Sequence, residues 1–176
     1  MYKRQPQDAA EAARWYRRAA EAGDPSGQNA LAWMLEDGSG VPKDEDEAER
    51  LYRLAVGQNF PDAMNNLAWF LYARNRAPEE ARELATRAFA AQPDNPAFAD
   101  TLAAILIRQG FPAESMALVD FAAAQEPNNP DYHERRGDAL WGVERRDDAR
   151  AAWNRALELT QSDAQRRRIA GKLARP

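Results

Sequence analysis

The chain has 176 residues, with 24 Lys and Arg against 28 Asp and Glu, for a net charge of −4. That balance argues against a general nucleic-acid binder, which needs net positive charge on its binding face. Cysteine is absent and His133 is the single histidine, so disulfides, thiolate metal sites, cysteine nucleophiles and histidine-rich metal centres are all excluded.

In chain order, Met1–Pro6 carries basic residues with no apolar stretch behind them, so it does not read as a secretory signal. No run of about 18 apolar residues occurs, so no membrane span is expected. The cytoplasm is the default compartment, with the periplasm or secretion left open should the start be truncated. The dominant feature from there on is repetition. Arg14–Ala20 returns 36 residues later as Arg50–Val56, and Asn29–Leu35 returns at the same offset as Asn65–Leu71. Further along the step shortens: Ala88, Ala122 and Ala156 are 34 apart, as are Asp94–Pro96 and Asn128–Pro130. These offsets divide the chain into four units, 25–60, 61–95, 96–129 and 130–163. A half unit, 8–24, precedes them, and 164–176 is expected to form a C-terminal capping helix. All of this makes one repeat domain over 1–176.

Each unit reads as two helices. In the first half, small and apolar residues recur at helical spacing: Leu31, Ala32 and Leu35, then Leu67, Ala68 and Leu71, then Leu102, Ala103 and Leu106. In the second half they recur at i, i+4 and i+7: Ala48, Tyr52 and Ala55, then Ala81, Ala85 and Ala88, then Ala149, Trp153 and Ala156. Pro25, Pro61, Pro96 and Pro130 stand where first helices begin, a position where proline loses no hydrogen bond. Gly110 and the stretch Gly38–Pro42 separate the halves. Alanine at the contact lets antiparallel helices approach closely. No strand pattern is present, so the expected class is all-α with about ten helices.

A unit of 34 residues in this order of small and large positions resembles the tetratricopeptide repeat. The third unit carries the resemblance on Leu102, Ala103, Leu106, Gly110, Val119, Ala122 and Pro127. The fourth carries it on Gly137, Leu140, Ala149, Trp153 and Ala156. Residues 8–60 look like the related Sel1-like repeat, on Trp15–Gly23, Gly38–Asp44, Glu47, Ala48, Leu51 and Tyr52. The resemblance implies a right-handed α-solenoid of antiparallel helix pairs. There are departures. Arg136 stands where a buried aliphatic is usual; it either carries its charge to the rim along a buried stem or loosens the fourth unit. Ser115 replaces an alanine-type residue, and Asn75–Pro78 lengthens the turn of the second unit.

Few groups invite chemistry. Asp44–Glu47 suits the first turn of a helix, where carboxylates meet the dipole, better than a cation site. His133 has no nucleophile to serve and reads as a solvated or groove-edge residue. Gly38–Gly40 lacks the ending of a phosphate loop and reads as a turn. The basic tail, Arg166–Arg168 with Lys172 and Arg175, reads as the polar face of a capping helix; Ser162 caps it, and Ile169 and Leu173 pack it. No catalytic residue, metal ligand or cofactor is expected.

Trp15 and Trp153 fall on second helices and are expected to pack. By resemblance, first helices line a concave groove. Carried over position by position, the groove takes Asn29, Trp33 and Glu36, then Asn65, Asn66, Trp69 and Tyr72. From the later units it takes Asp100, Ala104 and Ile107, then Glu134, Asp138 and Trp141. Asparagine amides suit an extended peptide backbone, and indoles give wide apolar contact. Carboxylates toward the C-terminal end would favour a cationic ligand. A basic clamp for a terminal carboxylate is not expected, since Asp62, Ala97 and Asp131 stand near such places, with only Arg108 and Arg135 nearby. The expected function is a non-enzymatic scaffold or adaptor that binds a protein, peptide or partner helix. The rival reading is structural. Trp15, Tyr16 and Ala19 would expose an apolar edge, making the chain a fragment of a longer array or a homodimer.

Overall fold

The computed structural model describes residues 4–175, and these form ten helices with no strand. They are α1 (Arg4–Glu21), α2 (Pro25–Asp37), α3 (Glu45–Gly57), α4 (Pro61–Ala73), α5 (Pro78–Ala91), α6 (Pro96–Arg108), α7 (Pro112–Gln125), α8 (Pro130–Gly142), α9 (Arg146–Leu159) and α10 (Asp163–Leu173). The architecture is the α-solenoid class: α2, α4, α6 and α8 are the first, or A, helices, and α3, α5, α7 and α9 are their B partners. The chain divides into two compact units, one through Ala91 and one from Gln92, a division that the repeat pattern alone does not draw.

Each A helix begins the same way. Pro25, Pro61, Pro96 and Pro130 take the first helical turn, where their missing N–H is no loss. Asp24, Asn95 and Asn129 cap three of these helices with side-chain oxygens, the Asp24 carboxylate lying 2.6 Å from the Gly27 amide. The acidic run behaves as a helix start: Asp44 caps α3 by accepting from the Glu47 amide at 3.0 Å, with Glu45, Asp46 and Glu47 in the first turn.

In the first unit α1 packs on α2, α2 on α3, α3 on α4 and α4 on α5. Small residues set the spacing. A methyl at Gly27 would overlap Ala19 of α1, so only glycine lets those helices approach so closely. Gly40, in the turn after α2, has φ +74 and lies directly on the α1 backbone at Ala9 and Ala10. Ala32, Ala48, Ala55 and Ala68 are wholly buried, and Tyr52 fills the space beside them. Its ring meets Phe70 edge-on, with centroids 6.1 Å apart. Its hydroxyl donates to Glu36 at 3.0 Å, as a buried phenol requires.

The second unit builds the same layers from α6 to α10. Trp153 of α9 is fully buried, with Leu140, Ala149, Ala156 and Ile169 in the same cluster. A methyl at Gly137 of α8 would overlap its indole. Emptying such a site costs about 3–5 kcal/mol. Ser115 is buried but satisfied, donating to the Pro112 carbonyl at 2.8 Å. Arg136 sends its guanidinium to Asp120 at 2.6 Å and stays half-buried, the rim placement its long stem allows. Ser162 caps α10 through the Gln165 amide, and Ile169 anchors the helix.

Candidate functional site

The proposed groove residues are best followed one unit at a time. In the first unit Asn29 and Trp33 are four apart on α2, and Asn65 and Trp69 are four apart on α4, so each pair shares a helix face. Trp33 is 53% exposed and Trp69 39%, the latter with its ring 5.1 Å from that of Tyr72. One turn before them runs a line of amides. Asn65 Nδ2 lies at 3.5 Å from Asn66 Oδ1, and Asn66 Nδ2 donates to Asn29 Oδ1 at 3.0 Å. Asn65 is buried, and its Oδ1 has no hydrogen-bond partner. Such an orphaned acceptor costs about 1–3 kcal/mol.

Glu36 does not face outward as an open carboxylate. It accepts from the Tyr52 hydroxyl at 3.0 Å and from Arg74 at 3.0 Å. Arg74 also holds Glu45 and lies 3.7 Å from the centre of the Phe70 ring. Hydrogen bonds from Arg74 and then Lys43 hold the Glu45 carboxyl down at about 2. Burial pushes the Tyr52 phenol above its ordinary range.

In the second unit the expected acidic face is largely satisfied from within. Asp100 is buried and paired with Arg135, at 3.2 and 3.3 Å. Burial raises its carboxyl, against the pull of Arg135. Ala104 is 1% exposed, and Ile107 packs on the cluster of Ala103, Val119 and Ala139. Glu134 is 4% exposed and receives Arg168 at 2.7 Å, Lys172 at 2.7 Å and Gln165 at 3.0 Å. Asp138 accepts from Lys172 at 2.7 Å and from the Trp153 indole at 3.1 Å. The cations at Glu134 and Asp138 thus belong to α10, and the one at Asp100 to α8. Trp141 lies against Trp153, with centroids 5.3 Å apart, and under the Arg146 guanidinium at 4.0 Å.

Two expectations need correction. Trp15, expected from its helix position to pack, is 59% exposed, in keeping with the rival reading of an open apolar edge; Arg18 stacks on its ring at 5.0 Å. The basic tail is not only a polar face, since Arg168 and Lys172 reach inward to α8. Gln165, Arg168 and Lys172 were missed as partners, yet each stands 34 residues after its acceptor, Asp131, Glu134 or Asp138. One repeat step along the solenoid brings equivalent positions of successive A helices side by side. His133 makes one simple bond, its Nε2 donating to the Pro127 carbonyl at 2.8 Å. Among the described residues no cluster of three potential metal ligands occurs, and no helix is long and apolar enough to cross a membrane.

The Sel1 repeat family matches residues 3–24, 25–60 and 61–92, and a tetratricopeptide repeat-like domain matches residues 98–175. The Sel1 pattern therefore reaches one unit further than residues 8–60. The second match takes in α10. No curated protein matches the chain in sequence. Among solved structures, a thermophilic TPR protein of Thermus thermophilus is 21% identical, covering 84% of this chain and 80% of its own, with a TM-score of 0.68. YrrB, described as a TPR protein with an unusual peptide-binding site, is 16% identical over 95% of this chain and 85% of its own, with a TM-score of 0.68. A Sel1 repeat protein from Oxalobacter formigenes is 18% identical over 94% of this chain and 78% of its own, with a TM-score of 0.61. At these identities the likeness is one of fold.

Proposed function

Because the chain belongs to the Sel1 repeat family, whose helix-pair fold is typical of protein-interaction scaffolds, we propose that it is a non-enzymatic adaptor whose first unit binds an extended peptide. The ligand lies along the face that α2 and α4 share, against Trp33 and Trp69. One observation carries this reading: the buried, unpartnered Oδ1 of Asn65, at the end of the Asn65–Asn66–Asn29 line and one turn from Trp69. That oxygen is closed to solvent, so a peptide N–H supplies the missing donor once the Asn65 side chain turns outward, and the indoles supply apolar area. The peptide-binding site described for YrrB is consistent with such a use of the fold. Asp100, Glu134, Asp138, Trp141 and Ile107 of the second unit are not needed for it, because their partners are internal.

The test is a displayed library of random linear peptides selected on the 176-residue chain, with the enriched peptides measured by calorimetry. Asn65→Ala and Trp69→Ala should each weaken them by about 1–2 kcal/mol or more, with circular dichroism showing both variants folded. Peptides that bind wild type and both variants equally, or a selection that enriches none, would sink the proposal.

A further inference from the structure

The two ends of the described chain present complementary halves of one helix pair. One small residue recurs on every A helix: Ala32, Ala68, Ala103 and Gly137, all buried against neighbours. The next in the series, 34 residues on, is Gly171 of α10. Gly137 is filled against by Trp153 of its B partner, whereas Gly171 has open space where that ring would be. α10 is an A helix without a B helix among the described residues.

α1 is the converse. Its Ala12, Trp15, Tyr16 and Ala19 stand 36 residues before Ala48, Leu51, Tyr52 and Ala55 of α3. Leu51 and Tyr52 are at most 4% exposed, because α2 and α4 cover them; Trp15 is 59% exposed and Tyr16 40%. Over α1 lies a concavity of about 730 Å³ walled by Glu11, Arg14, Trp15 and Arg18. The matching seam on α9 is about 210 Å³, walled by Asp148, Ala151, Ala152 and Arg155 in the same register, and closed by His133, Arg136 and Leu140 of α8.

We propose that α10 of one copy seats on α1 of another, so that one helix pair is built from two molecules. In the register of the α8–α9 seam, Arg167, Ala170 and Ala174 take the places of His133, Arg136 and Leu140. Small Ala170, Gly171 and Ala174 then receive Trp15 and Tyr16, the same small-on-A, large-on-B match that Gly137 and Trp153 make within the chain. Arg167, exposed on α10, faces Glu11, just as His133 shares its seam with Asp148. Arg18 flanks the seat as Arg155 flanks the seam on α9. The interface uses different surfaces on the two copies, so each joined pair keeps a free α1 at one end and a free α10 at the other, and assembly continues beyond a dimer.

The test is sedimentation of the 176-residue chain over a wide concentration range, with two variants that each block one end. Gly171→Trp fills the open space on α10, where an added Cβ meets nothing within 4 Å, with circular dichroism showing the variant folded. The double variant Trp15→Ala/Tyr16→Ala removes the aromatic filling of the seat. Wild type should grow in mass with concentration beyond a dimer, and each variant alone should associate at least tenfold more weakly. An equimolar mixture of the two variants retains one free α1 seat and one free α10, and should form a one-to-one dimer that goes no further. A wild type that stays monomeric overturns the proposal. So does a dimer that Gly171→Trp leaves intact, which would mean α1 pairing with α1, or a mixture that fails to dimerise.

Discussion

Glu134→Gln is the perturbation whose size the structure specifies best. The side chain is 4% exposed and takes hydrogen bonds from Arg168, Lys172 and Gln165. Burial pushes its carboxyl up, yet the bonds from Arg168 and Lys172 outweigh that and hold it at about 2, against an ordinary 4.5. A depression of that size corresponds to about 3 kcal/mol of folding free energy at neutral pH. Removing one partner of a buried ion pair costs about 3–5 kcal/mol, and the amide keeps the shape of the acid, so the lower end applies. The sign follows from proton binding: the native carboxyl binds its proton less tightly than the unfolded one. Its stabilisation is therefore complete above the ordinary value and is lost as pH falls toward about 2. Urea unfolding of wild type and variant, followed by circular dichroism, should differ by about 3 kcal/mol at pH 7. The gap should narrow steadily between pH 4.5 and 2, and amide exchange in α8 and α10 should assign the loss to the second unit. A difference below about 1 kcal/mol at pH 7, or one that does not change on acidification, refutes the reasoning.

Gly137 and Gly171 occupy equivalent places in α8 and α10, and their alanine variants should move stability in opposite directions. Gly137→Ala drives a methyl into Trp153 and should cost about 1–3 kcal/mol, while Gly171→Ala meets open space inside a helix and should gain about 0.5–1 kcal/mol; thermal unfolding of dilute protein separates them. Tyr52→Phe keeps the ring against Phe70 but removes the donor to Glu36, which retains Arg74. Unfolding in urea should show a loss of about 1 kcal/mol, and an unchanged midpoint would mean the hydroxyl bond contributes nothing.

Much of the architecture is legible in the sequence because its causes are local and periodic. The series Ala32, Ala68, Ala103 and Gly137 marks the close approach of A and B helices, and Pro25, Pro61, Pro96 and Pro130 mark where A helices start. These depend on backbone geometry, which repeats with the sequence. The side-chain partnerships are harder to read. Helical phase says which face Trp141 occupies, but not that Trp153 and Arg146 lie close enough to hold it there. The same limit hides the pairing of Glu134 with Arg168, although it follows the one-repeat offset that the apolar positions mark: charges obey that offset as well. Trp15 carries the residue type of a packing position but stands in a half unit, so two readings of it compete in the sequence and its neighbours decide for exposure. Asn65 shows the converse, since its unpaired oxygen is a property of every group around it.

The contact of Gly40 with the α1 backbone ties the seat of that helix to the loop after α2. The turn that carries Gly40 takes its shape only when α2 and α3 have closed into a hairpin, since the Asp44 amide bonds back to the Leu35 carbonyl at 2.9 Å. Until then α1 has one wall to rest on, α2, and lacks the second. Its seat is therefore completed by a loop that belongs to the next repeat. A side chain at position 40 would run into the Ala9 and Ala10 backbone and wedge that joint open, so one substitution in the second repeat would loosen the first.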